Sequence, residues 1–279
     1  MALFENEHAP DEDQSGLMEV RFDEHRSLTL HRRPLNGRSK TNDTSKWDEG
    51  LALASYLSSE SSEVDWNRSI VVDLGADSGI AGLTSSVLSK GRSAVFLTVK
   101  GGDTRGIKAN ISSNAKHWSY GKGVNTPRVN GLIWGSLIDQ SWIDDMIHKA
   151  KADKRKHLLL LCSNVAHRVS IFVPVLSTIS QIFSKLKQSH RKVQVRCLMA
   201  CHSTRPHSAS FFKIARDKLG FAVNLLAIVT LPLDDQKLDL RNAQIEYPSQ
   251  PNTPPDYAPR NCRTVWIVEL RKLPYTFSI

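Results

Sequence analysis

From residue 70 onward, short apolar runs alternate with longer stretches of helical period, and no other feature constrains the fold as strongly. Residues 70–74, 94–99, 129–134, 158–162 and 193–201 read as buried strands, rich in β-branched residues and leucine. Between them the spacing predicts helices over 80–90, 103–118, 137–150, 169–187 and 207–219. Strands that are apolar on both faces need cover on both, and parallel neighbours need a crossover about as long as a helix. The expected fold class is therefore α/β, with a Rossmann-like, mostly parallel sheet. Two further runs, 221–229 and 263–270, have no helix between them. They predict an antiparallel C-terminal hairpin at the sheet edge and bring the strands to seven.

Upstream, residues 28–31 read as a short strand and 47–57 as a helix, with Leu51, Ala54 and Leu57 on one face. The first 24 residues hold eight acids and one base, Arg21, and show no hydrophobic period. An acidic segment over 1–27 without fixed structure is expected, then one domain over 28–272 and a tail over 273–279. Beyond residue 24 the chain carries 36 Lys and Arg against 20 Asp and Glu. That surplus suits an acidic protein as substrate or partner, with nucleic acid the weaker alternative. With 40% hydrophobic residues, a fully disordered chain is excluded.

No apolar run approaches the roughly 20 residues of a membrane span, and the acidic start does not resemble a signal or transit peptide. A monomer in the cytoplasm, or also in the nucleus, is the expectation. Cys162, Cys197, Cys201 and Cys262 read as reduced core thiols. Cys197 and Cys201 lack the second pair that a zinc site needs, so no metal is expected.

The best local signal for chemistry is the strand–turn–helix unit over 71–83. Its glycines, Gly75, Gly79 and Gly82, sit where a ligand could touch the main chain, and Asp73 closes the strand with a carboxylate. The spacing is neither the dinucleotide pattern nor a P-loop. A cofactor with an amino-acid tail and a nucleoside would suit it.

Several motifs, taken in order, resemble the seven-β-strand S-adenosylmethionine-dependent methyltransferases, in particular family 16, the protein-lysine methyltransferases. Trp47-Asp48 through Tyr56-Leu57 matches that family's tryptophan-led helix, and Leu74-Gly75-Ala76-Asp77-Ser78-Gly79 its glycine turn. Asn110 and Asn114, Leu132-Ile133-Trp134-Gly135, and Arg205-Pro206 through Phe211-Phe212 follow in the family's order. The resemblance spans roughly 28–272. It implies a seven-stranded methyltransferase sheet, S-adenosylmethionine as cofactor, and a donor pocket lined by Trp47, Gly75, Ala76, Gly79 and Trp134.

The chain also departs from the family pattern. Val99 stands where an acid usually holds the ribose, with Asp103 the nearest substitute, and Asp77 stands where a glycine is usual. The family's D-x-x-Y, which places the substrate lysine, is Asn164-Val165-Ala166-His167 here, and Ile133 replaces the aspartate before the tryptophan. Asn164 keeps an acceptor oxygen, and His167 offers an aromatic wall or a base. Transfer of a methyl group to a protein lysine is the leading expectation, with Asn164 and His167 as catalytic candidates. A methyltransferase fold acting only as a binding or scaffold subunit is the alternative. A nucleic-acid methyltransferase is a third reading, weakened because no aromatic tetrapeptide follows the fourth strand.

Overall fold

The computed structural model describes residues 17–31, 47–99, 104–118, 123–136, 140–152, 154–189, 192–203, 207–232, 238–248 and 263–272. In chain order the strands and helices are β1 (Leu17–Arg21), β2 (Ser27–His31), α1 (Asp48–Ser58), β3 (Ser69–Leu74), α2 (Ile80–Leu88), β4 (Ala94–Val99) and α3 (Arg105–Ser113). There follow β5 (Arg128–Gly131), α4 (Gln140–Ala152), β6 (His157–Ser163), α5 (Phe172–Ser189), β7 (Gln194–His202) and α6 (Ser208–Leu219). The chain closes with β8 (Phe221–Leu231), β9 (Leu238–Asp239), β10 (Gln244–Glu246) and β11 (Arg263–Lys272).

The main sheet runs β10-β8-β11-β7-β6-β3-β4-β5. From β5 to β7 all neighbours are parallel. The expected antiparallel pairing of the last two long strands is present, β11 with β8; only its place differs, because β11 is interior, antiparallel to β7 as well, and the short β10 forms the edge beyond β8. The chain steps from β3 outward to β4 and β5, then returns to β6 on the other side of β3. Strand order therefore reverses between β3 and β6, and their carboxyl ends border the crevice where such sheets bind ligands.

Each central strand sends alternate side chains to opposite layers, as the pleat requires. Leu158, Leu160 and Cys162 of β6 join the layer built by α4, α5 and α6. Leu159 and Leu161 join the layer built by α1, α2, α3 and the β1–β2 hairpin. Helix α5 with the 3-10 turn before it, Val169–Ser189, is long and apolar enough to cross a membrane by length and composition, which the sequence reading did not find. Its apolar stripe, Phe172, Val175, Leu176, Ile179, Ile182, Phe183 and Leu186, is buried against the sheet and α6. Cys162, Cys197 and Cys201 are buried free thiols, with 3.8 Å between the Cys162 and Cys197 sulfurs.

Strand β1 lies inside the segment expected to lack structure. Met18 and Val20 are buried while Leu17, Glu19 and Arg21 are exposed, a period of two that the surrounding acids obscured. β1 pairs antiparallel with β2, and Asn110 of α3 and Asn114, the C-cap residue of that helix, dock the hairpin. Asn110 Oδ1 accepts the His31 N–H at 2.9 Å. Asn114 Oδ1 accepts the Thr29 N–H at 2.8 Å, and its Nδ2 donates to the Thr29 carbonyl at 2.6 Å. The pair sits four residues apart on one helix face, so each side chain meets the same strand.

Candidate active site at the carboxyl ends of the strands

The turn after β3 is left-handed at three places: Gly75 (φ 73°), Asp77 (φ 42°) and Gly79 (φ 80°). Gly75 is required twice over, because a Cβ there would also lie 2.5 Å from Trp134 Cζ2. Gly79 is required by its backbone alone: an added Cβ would meet Leu83 at an ordinary 3.4 Å. It precedes α2 as an N-cap with no side-chain hydrogen bond. Asp77 therefore replaces a glycine at a position that needs positive φ, which aspartate tolerates better than most residues. Its side chain is exposed.

Thr98 of β4 holds this turn. Its hydroxyl donates to the Asp73 carbonyl at 3.0 Å and accepts the Gly75 N–H at 3.1 Å, while its carbonyl accepts the Ala76 N–H at 2.8 Å. Sequence reasoning missed it, although a threonine inside the apolar run 94–99 was a usable signal. Asn110 adds a brace on the other side, donating to the Ser78 carbonyl at 2.8 Å.

Asp73 does not open onto the crevice as its strand-end position suggested. It is fully buried, and its Oδ2 accepts the Gly82 N–H at 2.9 Å, which pins the first turn of α2 to β3. Burial pushes its carboxyl up to about 7 against the lowering effect of the Gly82 N–H, and the nearby Asp77 charge adds to the rise. Val99 is likewise packed in the apolar layer, 6% exposed, and its carbonyl accepts the Leu132 N–H at 2.9 Å. It presents no group to a ribose. Asp103 lies outside the described residues.

Trp134 was expected within a strand, but β5 ends at Gly131 and Trp134 lies in the turn beyond it. That turn is strapped to α5: Gly135, at φ 83°, donates its N–H to Thr178 Oγ1 at 3.0 Å. The indole thereby rests over Gly75, so these two candidate residues are brought together. Trp47, half-buried, immediately precedes α1 and packs against the apolar layer. The first turn of α1 is seated between α2 and β6, since a Cβ on Gly50 would lie 3.5 Å from Ile80 and 3.8 Å from Ser163 Oγ.

The two acids after Trp47 are struts that the sequence reading passed over. Asp48, 1% exposed, pairs with Arg263 at the start of β11 and lies 3.3 Å from His202 Nε2. Glu49 Oε1 accepts the His202 N–H at 3.1 Å. Together they fix the amino end of α1 to the carboxyl end of β7.

After β6 the chain turns through Asn164, itself left-handed at φ 56°. Val165 and Ala166 are buried in the core, which leaves His167 exposed at the rim. His167 Nδ1 lies 2.7 Å from the Asn164 carbonyl oxygen. A carbonyl only accepts, so Nδ1 carries the proton and the neutral ring keeps Nε2 as its acceptor. Arg205 and Pro206 lie outside the described residues, and these contain no cluster of side chains suited to a metal ion.

A family model described as lysine methyltransferase matches residues 35–218. Among solved structures the chain is similar to a precorrin-6y C5,15-methyltransferase of Geobacter metallireducens GS-15, with 10% identity and a TM-score of 0.39, covering 81% of this chain and 87% of that one. It is also similar to a protein of Legionella pneumophila str. Philadelphia 1, with 9% identity and a TM-score of 0.37, covering 84% and 86%. No curated protein matches the chain.

Proposed function

This chain belongs to the lysine methyltransferase family, and on that basis we propose that it transfers a methyl group from S-adenosylmethionine to the side-chain amine of a lysine in a protein. The observation that carries the reading is the side-chain-free turn at Gly75, left-handed, with an indole laid over it where strand order reverses. The missing side chain of Gly75 makes room for the indole, and an indole face suits an adenine or a sulfonium cation. The donor supplies an electrophilic methyl group on sulfur. Gly75, Ala76 and Trp134 would hold it, with Thr98 and Asn110 keeping the turn in shape.

For the transfer, the lysine nitrogen must lose a proton and meet the methyl carbon in line with the departing sulfur. The nitrogen–carbon bond forms as the carbon–sulfur bond breaks, and holding both reactants in line supplies most of the rate. His167, its Nδ1 hydrogen-bonded to the Asn164 carbonyl, offers Nε2 to take the amine proton. The Asn164 side chain offers an acceptor to orient the incoming nitrogen. Asp77 meets the positive φ that its position demands, so it gives no support to a scaffold that has lost donor binding.

The test is incubation of the full chain with methyl-labelled donor and a cell extract, followed by amino-acid analysis of the labelled protein. Label recovered as N-methyl-lysine, and lost with His167→Ala, supports the reading. Label in another amino acid or in nucleic acid, or none above a no-enzyme control, overturns it.

A further inference from the structure

The parallel strands begin on the face opposite the candidate site, and that face is basic. Each crossover helix runs back along the sheet, so the returns from α2 to β4, α4 to β6 and α5 to β7 all reach this end. Residues 89–93, 153–156 and 190–193 of those returns hold seven Lys and Arg against one acid, Asp153. Lys90, Arg92, Lys154, Lys156 and Lys192 are exposed, and each lies past the last turn of the helix before it. Balancing a helix end accounts for Lys149, Lys151 and Lys187, but not for these five. Lys90 and Lys154 also take left-handed φ values of 52° and 51°, where glycine or asparagine is the easier residue.

Arg155, 6% exposed, ties the strand starts together. Its Nη1 donates to the Asn67 carbonyl and its Nη2 to the Arg92 carbonyl, both at 2.6 Å. The Lys156 N–H donates to the Arg68 carbonyl at 2.9 Å, and the Gln194 N–H to the Lys156 carbonyl at 2.8 Å. The neighbouring strands β4, β3, β6 and β7 thus start in one line, and at about 4.8 Å per strand the exposed cations reach across about 15 Å. The acids Asp65 and Asp145 at this end are already paired, with Arg68 at 3.9 Å and with Arg128.

An aromatic wall stands beside the cations. Trp66, half-buried just before β3, lines a cavity of about 310 Å³ with Asn67, Lys90 and Arg92 around it. Asp65 also lines it, while Glu60 and Glu63 line the adjoining cavity. An indole flanked by fixed cations suits a single nucleic-acid strand, whose base stacks on the ring while its phosphates meet Lys and Arg. An acidic peptide would use the cations and leave the indole idle.

We propose that this amino-end face binds single-stranded nucleic acid, with a base on Trp66 and phosphates on Lys90, Arg92, Lys154, Lys156 and Lys192. β3 and β6 are six and seven residues long, so the face lies about 20 Å from the turn after β3. Nucleic acid and methyl donor are therefore held at the same time, the nucleic acid as a tether and not as the methyl acceptor.

The test is fluorescence anisotropy of the full chain with a fluorescein-labelled RNA of about 16 nucleotides, the DNA of the same sequence, and that DNA with its bases removed. One or both intact strands should bind, the tighter naming the source, and the abasic strand should bind about tenfold more weakly. The logarithm of the binding constant should fall with the logarithm of salt concentration at a slope of about −3.5, and Lys156→Ala and Lys192→Ala should each make it shallower by about 0.7. Trp66→Leu should bind the intact strand about tenfold more weakly and the abasic strand as the wild type does. Calorimetric affinity for S-adenosylmethionine should stay unchanged in all three variants, and saturating S-adenosylhomocysteine should leave the strand bound. Displacement by S-adenosylhomocysteine would move the strand to the crevice and overturn the inference. So would equal binding of intact and abasic strands, an unchanged slope in both lysine variants, displacement by polyglutamate at an equal concentration of charge, or no binding of either intact strand at low salt.

Discussion

Thr98 and Gly75 are joined across neighbouring strands: the Thr98 hydroxyl accepts the Gly75 N–H at 3.1 Å while it donates to the Asp73 carbonyl at 3.0 Å. One buried side chain thus sets the shape of the turn proposed to meet the donor. Thr98→Val keeps the branching and removes both bonds, which should cost about 1–3 kcal/mol of stability. Donor affinity should fall with it, and Thr98→Ser should restore most of both. Urea denaturation alongside calorimetry with S-adenosylhomocysteine reads the two effects. Full donor affinity in the valine variant would show that the turn holds its shape unaided.

The glycines at the two ends of the turn should behave differently. Gly79→Ala meets no obstacle but must adopt φ 80°, so it should cost about 1–3 kcal/mol, with donor affinity changed little in the folded fraction. Gly75→Ala adds a collision with Trp134 to the same strain, and should lose donor affinity by more than its loss of stability explains. Melting curves and titrations on both variants separate these outcomes.

Asp73 should leave a signature in the pH dependence of stability. Its carboxyl titrates near 7 in the fold against about 3.8 when unfolded. Between those values the folded state binds the extra proton, so this group's contribution is full below pH 4 and is lost as pH rises toward 7, by on the order of 4 kcal/mol. Asp73→Asn keeps an acceptor for the Gly82 N–H and removes the charge. Its stability relative to wild type should therefore improve steadily from pH 4 to pH 7 and level off above that. Parallel profiles would mean that Asp73 does not titrate in this window.

Asn114 holds both the N–H and the carbonyl of Thr29, and Asn110 holds the N–H of His31. Asn114→Ala leaves two backbone groups of β2 to find water. We expect a loss of about 1–3 kcal/mol and faster amide exchange confined to residues 17–31. Unchanged exchange there would assign the hairpin's docking to Met18, Val20, Leu28 and Leu30 alone.

The strands and helices of the sheet were legible because each apolar run and each helical period is local. The place of β11 was not. Insertion between β7 and β8 is decided by pairing over dozens of residues, as in Ile267 opposite Ala200 on one side and Ala227 on the other. The same distance in sequence hid the struts. Asp48 reads as a motif residue until Arg263 is seen beside it, and Asp73 reads as a ligand until Gly82 is. Trp134 was not legible as a turn residue, because only its contact with Gly75 and the Gly135–Thr178 bond define that turn. Gly75 and Gly79 look alike in sequence, and only the space around them separates a close approach from a backbone requirement.

The most direct test is calorimetric titration of the full chain with S-adenosylmethionine, repeated with Gly75→Ala and Trp134→Ala after melting curves have shown that each variant folds. We expect one donor molecule per chain for the wild type, and affinity reduced about tenfold or more in both variants. No heat from the wild type at millimolar donor, or undiminished affinity in both folded variants, would contradict a donor site on the turn after β3.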